Sequence, residues 1–80
     1  MTTLVENEET QVTAGLYAYK VSGALTMQQK FKIFDSVDDF DDISDGVFTE
    51  AGSGLVELAE GWVKVVSAGA NTLKLTLIRK

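Results

Sequence analysis

The chain has 80 residues and a mass of 8.7 kDa, which is the size of one small domain. It contains no cysteine and no histidine, which excludes disulfides, cysteine or histidine metal sites and the commonest general base. Seven basic residues against twelve acidic ones give a net charge of −5, which disfavours nucleic-acid binding through phosphate neutralisation. We therefore expect a protein that is not an enzyme, has no cofactor and does not bind nucleic acid.

The first nine residues are polar and include three of the acids. They lack the basic start and apolar centre of a signal peptide, and no apolar run approaches the roughly 20 residues that span a bilayer, so we expect no membrane association. We predict that residues 1–9 form a flexible arm that gains order on binding a partner, followed by a single domain over residues 10–80. The candidate partner-binding residues of the arm are Thr2, Thr3, Leu4, Val5 and Glu6.

From residue 10 onward apolar and polar side chains alternate with a period of two, which predicts β-strands. The first clear strand covers residues 16–22, and the second covers residues 27–34. Four further strands are predicted, at residues 46–50, 55–58, 62–67 and 73–79. A turn is predicted at residues 51–54. The residues expected in the core are Tyr17, Tyr19, Val21, Phe31, Ile33, Trp62, Leu73, Leu75 and Leu77.

Residues 35–46 interrupt the alternation and contain all six aspartates of the chain with no basic residue. Asp and Gly favour turns over strands, so this segment is predicted to be an acidic loop. An irregular calcium site formed by carboxylates is one interpretation of this loop, and a solvated acidic loop is the other. The EF-hand spacing fails, because counting from Asp41 places Ile43 at the third position and Gly52 at the twelfth. The candidate calcium ligands are Asp38, Asp39, Asp41, Asp42 and Asp45.

Short strands with turn signals every eight to twelve residues predict an all-β fold. We expect a small antiparallel β-sandwich or jelly-roll-like barrel of about six to eight short strands, with the acidic loop in the middle. Such a fold has open sheet edges, which proteins cover or charge. Lys30, Lys32, Lys74 and Arg79 are expected to charge these edges; alternatively, a neighbouring copy or its N-terminal arm completes an edge.

Three aromatic residues allow a second interpretation. Tyr17, Tyr19 and Trp62 would form a stacking platform for a sugar if they were exposed together. Each of them lies on a predicted strand at an alternating position, so we favour a role in the core, where large aromatic side chains dominate small proteins.

The C-terminal half, residues 55–77, resembles the end of small β-sandwich virion structural proteins of tailed bacteriophages, in which an aromatic-led strand ends in a pattern such as Ser67-Ala68-Gly69-Ala70. Residues 15–23 resemble their opening strand. The chain departs from that family where Ala59-Glu60 stands in the turn that often contains proline.

This resemblance implies a virion protein, assembled in the host cytoplasm, most simply a capsid decoration or cement protein on the outer surface of the head. It also implies a homo-oligomer, with a trimer expected, and the major capsid protein or another virion protein as partner. The alternatives are a structural protein of the neck or tail, and a carbohydrate- or receptor-binding module of a tail or fibre. An adaptor or inhibitor role of the acidic loop is a third, weaker alternative.

Overall fold

Two four-stranded antiparallel sheets make up the fold in the computed structural model, which describes residues 1–32 and 40–80, without the side chains of Ser44 and Asp45. The strands in chain order are β1 (Thr2–Leu4), β2 (Glu9–Val12), β3 (Gly15–Val21), β4 (Leu25–Phe31), β5 (Asp41–Phe48), β6 (Gly52–Leu58), β7 (Gly61–Val66) and β8 (Leu73–Arg79). The described residues include no helix. The prediction of a small all-β sandwich is therefore confirmed.

The first sheet has the strand order β1-β8-β3-β6, and the second has the order β2-β7-β4-β5. Every neighbouring pair is antiparallel. Consecutive strands lie in different sheets throughout, except β4 and β5, which pair directly. The chain thus winds back and forth between the two layers, and every connection except the one between β4 and β5 joins one sheet to the other.

The core lies between the sheets and is built from the alternating inward residues of both. The first sheet contributes Leu4, Tyr17, Val21, Val56, Leu58, Leu73 and Leu75, and the second contributes Val12, Leu25, Met27, Val63 and Val65. Tyr19, Ile43 and Phe48 pack against this cluster and are partly buried. Burial of these apolar surfaces from both layers holds the sheets together.

Most of the residues predicted for the core follow this pattern. Tyr17, Val21, Leu73 and Leu75 are buried, as predicted, and Tyr19 is partly buried. Phe31 is half-buried at the end of β4, on the same side as the buried Met27 and Gln29. Ile33 lies outside the described residues.

Two core predictions are wrong. Leu77 is 38% exposed, because it borders an open pocket that Val12 and Tyr17 also line, and the burial along β8 ends at Leu75. Trp62 is half-buried on the opposite face of β7 from the buried Val63 and Val65. Since successive residues of a strand point to opposite faces, the valines rather than the tryptophan set the core side of this strand.

The predicted loop at residues 35–46 is wrong over its second half, and the turn predicted at residues 51–54 is wrong from Gly52 onward. Residues 41–48 form β5, an edge strand that pairs with β4. Asp41 lies opposite Gln29, and Asp42 lies opposite Gln28. Aspartate is tolerated there because one side of an edge strand is open to water. The first half of the predicted loop falls outside the described residues.

The N-terminal segment forms part of the sandwich, which differs from the expected flexible arm. β1 pairs with β8, so that Thr2 lies opposite Leu75 and Leu4 lies opposite Leu73. Leu4 is buried, at 3% exposure. The backbone N–H of Asn7 donates to the carbonyl of Val65 at 2.7 Å. Pairing to two different sheets in nine residues holds this segment in place even though its sequence is polar.

Candidate functional site

The aspartates considered for calcium are not gathered by the described part of the fold. Asp41 and Asp42 are exposed neighbours on β5, so their side chains point to opposite faces of the strand. The carboxylate of Asp42 accepts a hydrogen bond from the side-chain amide of Gln28 at 2.7 Å. Asp45 also lies on β5, and Asp38 and Asp39 fall outside the described residues. Residues 1–32 and 40–80 contain no group of three or more acidic side chains placed to share an ion.

The three aromatic residues considered as a sugar platform are separated by the sandwich. The hydroxyl of Tyr17 is turned inward and donates to the carbonyl of Thr13 at 2.9 Å. Tyr19 packs against Phe48, with ring centroids 4.9 Å apart and ring planes tilted by 50°. Trp62 lies on the outer face of the second sheet, so it shares no surface with the two tyrosines.

Trp62 is the centre of a cluster of aromatic rings and cations on this outer face. The ammonium of Lys30, directly opposite on β4, lies 4.8 Å from the centroid of the Trp62 ring. The ammonium groups of Lys30 and Lys64 each lie 5.6 Å from the centroid of the Phe40 ring. These are cation–π distances, and they place two lysines around one patch of aromatic surface. Gln11, opposite Trp62 on β2, adds an exposed amide beside it.

A different surface covers the outer face of the first sheet. Leu16 and Ala18 on β3 and Leu55 on β6 point outward, and Ala18 is paired with Leu55 on one side and with Thr76 on the other. Ile78 lies at the β-bulge of β8, between the residues that pair with Leu16 and Tyr17. Leu55 is 62% exposed and Ile78 is 56% exposed. We call Leu16, Ala18, Leu55 and Ile78 the apolar outer face.

Two lysines flank the apolar outer face. Lys20 and Lys74 are exposed and stand directly opposite each other on β3 and β8, also pointing outward. Like charges placed opposite each other on a sheet destabilise it slightly. The ion pair found among the described residues, between Lys32 and Glu60 at 3.9 Å, involves neither of them. A carboxylate from a binding partner would relieve this repulsion.

The predicted partner-binding residues of the N-terminal segment are divided between internal and external roles. Leu4 is buried in the core, and one carboxylate oxygen of Glu6 accepts hydrogen bonds from the backbone N–H groups of Ala68 and Gly69 at 3.0 and 3.1 Å. Thr2, Thr3 and Val5 are exposed. Glu6 therefore fastens the segment to the turn between β7 and β8.

Sequence reasoning missed the buried Gln29. Its side-chain amide donates to the carbonyl of Ala59 at 2.8 Å and so holds the turn between β6 and β7 against β4. The signal was its position, since Gln29 falls in phase with Met27 and Phe31 on the inward side of the strand.

None of the four lysine and arginine residues expected to charge sheet edges lies on an edge strand, although β1 pairs with β8 only as far as Leu75 and so does not cover Arg79. Lys30 lies on β4 and Lys74 and Arg79 on β8, which are inner strands of their sheets, and Lys32 follows β4. Strand order decides which strand is an edge, and a single sequence does not reveal it. The edges observed in the two sheets are β1, β6, β2 and β5.

Comparison of the chain with protein-family models, with curated proteins and with solved structures gives no match. No helix long and apolar enough to cross a membrane occurs in the described ranges.

Proposed function

We propose that this chain is a non-enzymatic structural protein of a tailed-bacteriophage virion that decorates the outside of the head. It would bind the major capsid protein through the apolar outer face of its first sheet. The observation that carries the proposal is the exposure of Leu55 on the same face as the Lys20–Lys74 pair, with the exposed Ile78 at the adjoining bulge of β8. The resemblance of residues 15–23 and 55–77 to small virion sandwiches supplies the context for this surface.

The chemistry of the apolar outer face suits a protein partner. When another protein excludes water from exposed Leu and Ile side chains grouped on one sheet face, the free energy of the complex is lowered. The lysine pair beside them favours a partner surface that supplies carboxylates, because opposite charges at the rim of an interface promote association and fix orientation. A shell protein that presents an apolar patch next to acidic side chains would satisfy both requirements.

The distribution of acidic residues fits the same orientation. Asp41, Asp42 and Asp45 lie together on β5, an edge of the second sheet, and not on the apolar outer face. With the first sheet against the shell, this edge of the second sheet would lie on the solvent side. The acidic edge would stand beside Lys30 and Lys64 on the solvent side, and the net charge of −5 disfavours attraction of DNA, which is useful to a protein present in many copies.

The test is cosedimentation of the purified chain with phage heads that lack it. We expect the wild-type chain to sediment with the heads and Ile78→Lys to lose at least about tenfold in affinity, because a charge would be buried in an apolar contact. Val47→Lys is the matched control, since Val47 is also an exposed apolar residue, at 57%, but lies on β5 of the other sheet. Equal binding of both variants, or no binding of the wild type, would refute the proposal.

A carbohydrate-binding module is the second candidate, and the half-buried surface cluster around Trp62 favours it. Aromatic rings stack on sugars, and Gln11, Lys30 and Lys64 offer hydrogen-bond donors around the ring. It ranks second because the Lys30 ammonium already lies over the Trp62 ring and would have to move. A saturable change in tryptophan fluorescence on titration with oligosaccharides, abolished in Lys30→Ala and Lys64→Ala, would favour it over the first candidate.

A further inference from the structure

We propose that strand β6 pairs with the β6 strand of a second copy of this chain. The two strands would run antiparallel about a two-fold axis at Leu55, joining the two first sheets into one continuous sheet. This arrangement uses the backbone of a sheet edge, and of the apolar outer face it involves Leu55 alone. It does not depend on the proposed binding to a phage head, because the attraction comes from the backbone groups of β6.

Among the described sheet edges, β6 is the one that offers a long strand with little protection. β1 has three residues and β2 has four, so each offers few backbone groups. β5 has eight residues, three of which are aspartates. β6 has seven residues, Gly52-Ser53-Gly54-Leu55-Val56-Glu57-Leu58, with a single charge and no proline. Natural proteins guard edges by shortness, charge or proline, and β6 has little of each.

The sequence of β6 is self-complementary in the register that pairs all seven residues. Leu55 is the central residue, so it would face the partner's Leu55, and its 62% exposed side chain would be covered. Glu57 would face the partner's Ser53, so the charges of the two copies would not oppose each other. Val56 would face the partner's Gly54, beside which the ring of Tyr19 on β3 already lies, so Val56 would pack against that ring. Each of these cross-strand pairs joins residues on the same face of the sheet.

The backbone supplies the attraction in this contact. β3 pairs with β6 along its whole length, from Gly15 opposite Leu58 to Val21 opposite Gly52. Among the described residues, β3 is the one strand that pairs with β6. The other side of β6 retains N–H and C=O groups that a further strand can bind. A second β6 has the matching length and direction.

The contact is small, which sets the expected strength of the dimer. A seven-residue strand is about 24 Å long, and pairing along one such edge buries less area than the roughly 1,200 Å² of the smaller stable interfaces. We therefore expect a dimer that forms and dissociates with concentration. This two-fold dimer differs from the trimer expected from the family resemblance.

Opposite charges at Ser53 provide the test. In the dimer, Ser53→Glu would place a glutamate against the partner's Glu57 twice, and Ser53→Lys would place a lysine there instead. Within one chain the effects are reversed, because Ser53 stands opposite Lys20 on β3. Glutamate at position 53 would thus stabilise the fold of the single chain and weaken the dimer, which separates dimerisation from folding.

Sedimentation velocity from micromolar to millimolar concentration is the measurement, with thermal unfolding as the check on folding. We expect the wild type to approach twice the monomer mass of 8.7 kDa at the upper concentrations. Relative to Ser53→Lys, Ser53→Glu should raise the dissociation constant by about five- to thirtyfold, from two symmetric charge pairs. The double variant Ser53→Glu/Glu57→Lys should restore the dimer, because the charges again attract.

Three results would overturn the proposal. The first is a monomer at every concentration, and the second is a trimer. The third is a dimer whose dissociation constant is the same in Ser53→Glu and Ser53→Lys. Loss of head binding in Ile78→Lys with an intact dimer, or the reverse in Ser53→Glu, would show that the two surfaces act independently.

Discussion

The ammonium of Lys30 lies 4.8 Å from the centroid of the Trp62 ring, on the outer face of the second sheet. The two residues are directly paired across β4 and β7, so the sheet register itself brings them together. The single tryptophan of the chain is therefore part of a surface cluster and not of the core. This placement has consequences for stability that can be measured.

Removing the charge of Lys30 should lower the free energy of unfolding, because the cation–π contact with Trp62 is lost. We expect the double-mutant cycle of Lys30→Met and Trp62→Leu to give a coupling free energy of about 0.5–1 kcal/mol, typical of a partly exposed cation–π pair. Urea denaturation of the four proteins measures it. A coupling free energy of zero would mean that the ring and the ammonium do not interact in solution.

The buried face of a strand could be predicted where apolar residues occur at alternate positions. The prediction was wrong where one large aromatic residue was given more weight than the alternating residues. In Leu73–Arg79, leucines at alternate positions indicated the correct inward face. In Gly61–Val66, Val63 and Val65 carried the same signal, but the size of Trp62 suggested the wrong face. The extent of burial along a strand was not predictable, because it depends on where the facing sheet ends.

A pair of leucine substitutions tests where the core ends on β8. Leu73→Ala should lower the free energy of unfolding by about 2–5 kcal/mol, because Leu73 is fully buried and its removal leaves a cavity. Leu77→Ala should cost about 1 kcal/mol or less, since that side chain is already partly in water. Chemical denaturation of both variants gives the comparison. Similar losses would place Leu77 in the core after all.

Gly61 is required by a close backbone approach at the start of β7. Its φ is 157°, and a Cβ atom there would collide with the carbonyl oxygen of Lys30. Gly61→Ala should therefore cost about 1–3 kcal/mol, because the backbones of β4 and β7 must move apart.

Gly52 is the matched control for this substitution. A Cβ atom at Gly52 would meet no other atom within 4 Å, and Gly52→Ala should change stability by about 0.5 kcal/mol or less. Thermal unfolding of the two alanine variants is the measurement. A stable Gly61→Ala protein would argue against the tight approach of β4 and β7.

The N-terminal segment could not be recognised as part of the fold from its own sequence. Thr2–Leu4 and Glu9–Val12 are short and polar, with one inward residue each, so neither shows a repeating pattern. Their place is fixed by distant partners, namely β8 for the first strand and β7 for the second. The same limitation applies to Asp41–Phe48, whose pairing to β4 overrides the turn preference of its aspartates.

Glu6 should prove important for the order of this segment. Glu6→Ala removes the acceptor for the N–H groups of Ala68 and Gly69 and should lower stability by about 0.5–1.5 kcal/mol. Glu6→Gln keeps a carbonyl oxygen at the same place and should lose less. Amide hydrogen exchange of residues 2–8 is the direct readout, and faster exchange is expected in Glu6→Ala than in Glu6→Gln. Fast exchange already in the wild type would restore the picture of a flexible arm.

Both proposed surfaces come from strand order rather than from local sequence. The outward row of Leu55, Ala18 and Thr76 spans three strands that are far apart in the chain. Likewise, β6 is an edge because its second neighbour is absent from the described sheet. Residue types alone do not reveal these two surfaces, because the strand order decides which faces and edges are open.

The most direct test of the head-decoration proposal is a cryo-electron microscopy reconstruction of phage particles purified from a culture that produces this chain. We expect density for the sandwich on the outside of the head, with Leu55 and Ile78 facing the shell and the β5 edge on the solvent side. Absence of the chain from the particles would contradict the proposal. Contact with the shell through the Trp62 face instead of the apolar outer face would contradict the assigned binding surface.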